Sequence, residues 1–235
     1  MKIGILEQGG FRAKPTLLDG TGSYSTTGAA SRTQQITPPV GTNLLVVCSG
    51  ILSSASRSLN VPTFNGVAMD VGVAYSETSN GAGVAQVGIH YMFNPPTGSL
   101  LDILLSTVSG SWTDSIISAF CWKDARSVGA GNSNSSSGAS SSVTNTITLA
   151  DLAVACSVLG ELADNNTPGA ASWNVSNLVI EDGGSSTKIA LATAYREAAL
   201  AIGSTNFTWA QTNNNWVGSN GNIHRMLAKT LDIYG

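Results

Sequence analysis

The sequence predicts an all-β chain, an antiparallel two-sheet β-sandwich of jelly-roll-like form with an N-terminal extension. Three observations predict it. Short runs rich in aliphatic and β-branched residues recur between clusters of Gly, Ser, Asn and Pro. Helical periodicity is nearly absent. Charged residues make up 11% of the chain against the roughly 25% usual for soluble domains, so its polar surface must be built from Ser, Thr, Asn, Gln and Gly. A length of 235 residues suits one large sandwich, divided here into an N-terminal arm or edge segment (1–38) and a sandwich domain (39–235).

The first 35 or so residues carry Arg12, Lys14 and Arg32 but no long apolar alternation, so they are expected to form an arm on a neighbouring subunit, an edge strand or a disordered tail. From Asn43 to Leu52, apolar residues fall on both parities, the pattern of a central strand covered on both sides. Val61 to Phe64 and Val67 to Tyr75 are strands joined at Asn65-Gly66, where two positive-φ positions cost least. Val84 to Phe93 alternates, with Ala85, Val87, Ile89, Tyr91 and Phe93 on one face and Gln86, Gly88 and His90 on the other, which predicts one wet side. Asn94-Pro95-Pro96-Thr97-Gly98 cannot continue a central strand, because each proline lacks an amide hydrogen, so it forms a rigid corner. Leu100 to Thr107 follows as a half-buried strand, then Trp112 to Trp122.

Gly129 to Ser142 is low in apolar groups and is expected to be a mobile, exposed loop. The remaining strands are expected at Val143 to Leu149, Asp151 to Leu159, Thr187 to Tyr195, Asn206 to Ala210 and Ile223 to Tyr234. Arg196 to Ile202 is Ala-rich and could form one helical turn or none.

Chemistry is sparse. The net charge of −3 comes without any run of Lys or Arg, which argues against nucleic acid and anionic bilayers as partners. No stretch approaches the ~18 apolar residues of a membrane span, and the first residues do not read as a secretory signal, so synthesis into a cytoplasm is expected. Cys48, Cys121 and Cys156 lie in apolar segments without metal-ligand spacing and read as buried free thiols. His90 and His224 lack a neighbouring nucleophile turn, and His90 reads as a solvated surface histidine. Asp70, Asp102, Asp114 and Asp151 are scattered, and Glu181-Asp182 before Gly183-Gly184 reads as an exposed turn. No catalytic, cofactor or metal residues are assigned. Trp173, Trp209 and Trp216 are the candidate contacts to a glycan or a second subunit, with burial or inter-subunit contact preferred for them.

Four segments carry a resemblance: Asn43-Leu44-Leu45-Val46-Val47; Val61-Pro62-Thr63-Phe64-Asn65-Gly66-Val67-Ala68-Met69; Ile89-His90-Tyr91-Met92-Phe93-Asn94-Pro95-Pro96-Thr97-Gly98; and the paired strands ending near Phe120. In this order they resemble a β-sandwich module of phage virion proteins, of capsid-decoration or tail type, also seen in some bacterial surface proteins. The resemblance spans roughly residues 40 to 235, looser beyond 160, and rests on fold signatures rather than chemical ones. Asn65-Gly66 stands where the module often has a Gly pair, and Cys121-Trp122-Lys123-Asp124 where many members end in G-V-D. The resemblance implies a sandwich with a structural or host-contact role and no catalytic residues. The expected function is a non-enzymatic virion structural protein, foremost a capsid decoration or cement protein, assembled in a host cytoplasm. It would be a homo-oligomer bound to other virion proteins. The alternative is a tail, fibre or head-appendage adhesin for host glycans.

Overall fold

The structure, a computed structural model, describes residues 13–25, 27–79, 83–137, 142–149, 153–162, 168–171, 176–182, 189–200, 203–211 and 225–235. Its strands run β1 Thr16–Ser25, β2 Ser31–Ile36, β3 Leu44–Ser53, β4 Thr63–Phe64, β5 Val67–Ala68 and β6 Asp70–Ser79. They continue as β7 Val84–Phe93, β8 Leu101–Ser106, β9 Asp114–Lys123, β10 Ser127–Val128, β11 Asn132–Ser137 and β12 Ser142–Leu149. The last six are β13 Ala153–Leu162, β14 Pro168–Ala171, β15 Ser176–Asp182, β16 Ile189–Leu200, β17 Gly203–Gln211 and β18 Arg225–Tyr234. The strands pair antiparallel, and no helix occurs among the described residues.

Two large sheets pack face to face. Sheet I has the order β1-β9-β3-β7-β6; sheet II has the order β10-β18-β13-β16-β15, with β11 also on β18. Between them lies the main core, where Leu44, Val46, Cys48, Ile89, Phe120 and Trp122 of sheet I meet Val154, Cys156, Val158, Leu191, Leu227 and Leu231 of sheet II. Each large sheet carries a smaller one on its outer face. Sheet III (β2-β8-β4-β5) covers sheet I through Ile36, Phe64, Ile103 and Leu105, which pack on Leu45, Val47, Ile51 and Ile117. Sheet IV (β12-β17-β14) covers sheet II, placing Ile147 against Ala153 and Ala155. The stacking order is therefore III, I, II, IV, a sandwich with a further layer on either side.

This stacking accounts for the sequence of β3. It is buried at all ten positions because sheets II and III cover its two faces, and its near-continuous apolar run is what a doubly covered strand requires. The Asn65-Gly66 hairpin forms as expected, with φ of 49° and 79° at its two central residues, and Asn65 N–H donates to Asp102 O at 2.8 Å. The Asn94 to Gly98 corner carries the chain from sheet I to sheet III and is held by Asn94 N–H to Asn43 O and Gly98 N–H to Pro38 O, each 2.8 Å.

Two expectations, the wet face of β7 and the mobile loop at 132–137, need correction, and two readings left open are narrowed: the N-terminal segment supplies edge strands, and the Ala-rich stretch forms no helical turn among its described residues. β7 has no wet face: His90 is buried against the Tyr75 ring of β6, and Gln86 is buried with its amide satisfied by the Arg57 backbone N–H (3.1 Å) and C=O (2.7 Å). Residues 16–36 supply strands to the sheets despite lacking apolar alternation. β1 pairs along β9 and β2 along β8, and Arg32 of β2 donates to Ser115 O (2.7 Å) and Ser23 Oγ (2.5 Å). Residues 132–137, expected in a mobile loop, form β11 on β18. Asn132 and Asn134 side chains donate to the Thr146 and Thr144 carbonyls, capping the otherwise unpaired edge of β12. The Ala-rich stretch from Arg196 continues β16 as strand as far as Leu200, because pairing with β13 and β15 overrides its helix propensity.

Candidate functional site

One group of buried polar side chains surrounds an irregularity in β6. This edge strand slips register against β7 between Val71 and Val73 and again between Val73 and Ser76. Such bulges re-aim side chains. Here the Ala74 carbonyl accepts from Lys229 Nζ of β18 at 2.6 Å, while the Tyr75 ring lies across Gly88 towards the layer under sheet III. Gly88 is obligatory, since a Cβ there would stand 2.7 Å from the Tyr75 ring. The Tyr75 hydroxyl shares a 2.5 Å hydrogen bond with Ser49 Oγ of β3, and its ring is tilted against His90 with centroids 4.8 Å apart.

His90 is 1% exposed and its Nδ1 has no hydrogen-bond partner. Burial, with a smaller contribution from the positive charge of Lys229, lowers its pKa to about 4, so the ring is neutral at physiological pH. This corrects the surface histidine expected from the sequence. It stands opposite Val47 of β3 and Val71 of β6. Burial also brings Lys229 down to about 8 and pushes the Tyr75 phenol up. An imidazole so enclosed has no path to a substrate; what it can do is respond to protons.

A second polar layer separates sheets II and IV. Trp209 is fully buried there and its indole N–H donates to Ser157 Oγ at 3.0 Å. Ser157 in turn donates to Lys229 O at 2.7 Å, and Asn145 Nδ2 donates to Thr230 Oγ1 at 3.0 Å. Asp232, on the same face of β18, is 5% exposed with Oδ1 unpartnered; burial raises its carboxyl to about 6 although Tyr234 hydrogen-bonds it. Trp209 is thus a core residue. Trp173, Trp216, His224 and Asp151 lie outside the described residues.

Asp70 and Asp102 are exposed on different sheets, and Glu181-Asp182 closes β15. Among the described residues no three His, Cys, Asp or Glu side chains come together. Cys48, Cys121 and Cys156 are free and buried, and desolvation pushes all three thiols up, Cys121 to about 12. Lys229, Tyr75 and Asp232 went unread in the sequence. Lys229 had a signal, for it shares parity with Leu227, Leu231 and Ile233 and so had to point into an apolar face.

The two outer faces differ. The outward residues of sheet IV are Thr144, Thr146 and Thr148 beside Thr208, Asn206 and Ser204, cross-linked by Thr144 to Thr208 and Thr146 to Asn206 hydrogen bonds of 2.8 Å. By contrast, the exposed large apolar side chains of the described residues are Val40, Val61, Val67, Val71, Leu100, Leu104 and Val108, all on or around sheet III and the neighbouring edge of sheet I. No family model matches the chain, and no curated protein or solved structure matches it significantly.

Proposed function

We propose that this chain is a non-enzymatic structural protein of a virion, a decoration or cement protein that docks on the particle shell. One observation carries the reading: among the described residues the exposed large apolar side chains gather on the sheet III side, at positions 40 to 108, while the three cysteines and His90 are buried. Apolar side chains left in water at one side of a domain are what a docking surface requires, since burying them against a partner is favourable by about 25 cal/mol per Å2. The order of segments resembling the phage module points the same way. Its partners would be capsid or tail proteins and further copies of itself.

The test compares purified particles with and without the protein. Particles lacking it should lose infectivity at lower temperature, and a C-terminal label should decorate the shell. Equal heat resistance together with a label absent from the shell would remove the reading.

A second reading, an appendage adhesin for host glycans, is favoured by the uncharged hydroxyl and amide face of sheet IV. Glycan-array binding that is lost in Thr146→Ala or Asn206→Ala, with folding unchanged, would support it; no binding to any glycan would exclude it.

A further inference from the structure

We propose that β6 is an acid-released strap: protonation of His90 on the neighbouring strand β7 detaches Asp70–Ser79 from sheet I and uncovers the edge of β7. The inference rests on the β6 cluster alone and stands apart from any role on a particle.

Three features of geometry carry it. First, β6 is the outermost strand of sheet I, joined to the sheet through β7 only, and most of its residues already meet solvent. Second, its hold is weakest at its centre. The two bulges interrupt the ladder, and the part-buried anchors there are Lys229 Nζ to Ala74 O and the Tyr75 hydroxyl to Ser49 Oγ. Third, the buried imidazole lies directly against this centre, across from Val71 and touching the Tyr75 ring, with Nδ1 unpartnered.

Among the described residues no carboxylate faces His90 to offset the hydration an imidazolium would lose. β3 presents Val47 and Ser49 on this face, with the Cys48 thiol directed to the other core. β6 presents Tyr75, whose phenol stays protonated, and β18 adds the positive charge of Lys229. Sheet III contributes Phe64, Ile103 and Leu105 to the same core, none of them titratable. The nearest carboxylates in the β6 register, Asp70 and Glu77, are exposed and stand opposite Tyr91 and Gln86, not His90. A proton on His90 therefore creates a buried charge without a counter-ion, and an opening that lets water reach it is favoured. Lifting β6 is the least costly opening, because β7 is bound on its other side to β3 over ten register positions.

The consequence is a change of surface. Without β6, the apolar strand β7 presents a free row of backbone N–H and C=O groups, to which another strand can add.

Hydrogen exchange read by mass spectrometry, corrected for intrinsic rates, tests this at about pH 7 and about pH 4.5. The amides of 70–79 and the β7 amides facing them should exchange about tenfold faster or more at the lower pH, with β3, β9 and β18 unchanged. His90→Phe should abolish the acid effect, and His90→Gln serves if the Phe variant does not fold. Lys229→Met should loosen β6 already at neutral pH, because it removes the Ala74 anchor. The proposal is overturned if acid leaves β6 protected, if every strand loosens together, or if the acid effect persists without His90.

Discussion

Sheets III and IV occupy equivalent places on the two sides of the sandwich, yet they are attached by different physics. Sheet III is held by large apolar side chains: Phe64, Ile103 and Leu105 bury themselves on Leu45, Val47 and Ile51. Sheet IV is held by hydrogen bonds among Trp209, Ser157, Asn145 and Thr230, with a small apolar cluster beside them. Apolar burial supplies magnitude without direction, whereas a buried hydrogen-bond network supplies register, because each unpaired group costs its full desolvation. The same contrast continues outwards, where sheet III leaves apolar residues in water and sheet IV ends in Thr, Ser and Asn.

The largest expected effect comes from cutting the apolar attachment. Phe64→Ala removes a fully buried ring between sheets III and I and should cost about 3 to 5 kcal/mol in urea unfolding. A loss under about 1 kcal/mol would mean that sheet III is held some other way.

Acid should act on the two sides of the sandwich with opposite sign. The folded pKa of His90 is lowered to about 4, so the folded state resists a proton that the unfolded chain accepts near pH 6.5. Stability is then lost as pH falls through that window, by about 3 kcal/mol at most. The folded pKa of Asp232 is raised to about 6 from 3.8, so protonation favours the folded state and stability rises as pH falls from about 6 towards 3.8. Unfolding curves of His90→Gln and Asp232→Asn across pH 4 to 7 separate the two: the first should flatten the acid loss and the second should steepen it. Identical pH profiles for both variants would contradict the assignment.

Trp209→Phe keeps the ring bulk but removes the indole N–H to Ser157, which should cost about 1 to 2 kcal/mol and loosen hydrogen exchange in β12 and β17 while leaving β8 unchanged. The smallest effect is at the edge of sheet IV. Asn134→Ala frees the Thr144 carbonyl at an exposed position, so a loss below about 1 kcal/mol is expected, read as faster exchange in β11.

Much of the framework was legible because its causes are local. The run Leu44 to Leu52 announces a doubly covered strand, Asn65-Gly66 fixes a hairpin, and the two prolines after Asn94 force the corner between sheets. β1, β2 and β11 were not legible, because their stability comes from partners distant in sequence: β9, β8 and β18. Asn132 and Asn134 read as low-complexity filler until the bare edge of β12 stands beside them.

The candidate site divides in the same way. Alternation alone could have put Lys229 among Leu227, Leu231 and Ile233, and correctly put His90 with Gln86 on the less apolar face of β7. Whether that face met water was decided only when Tyr75 and the chain at Arg57 closed over it, since the period of a strand names a side chain's face and not what covers that face. The sequence by itself therefore determined the central strands and the turns between them, set by backbone sterics and side-chain period. The tertiary structure decided which polar groups were buried and where the bulge in β6 aimed Tyr75, because both depend on layers brought together from opposite ends of the chain.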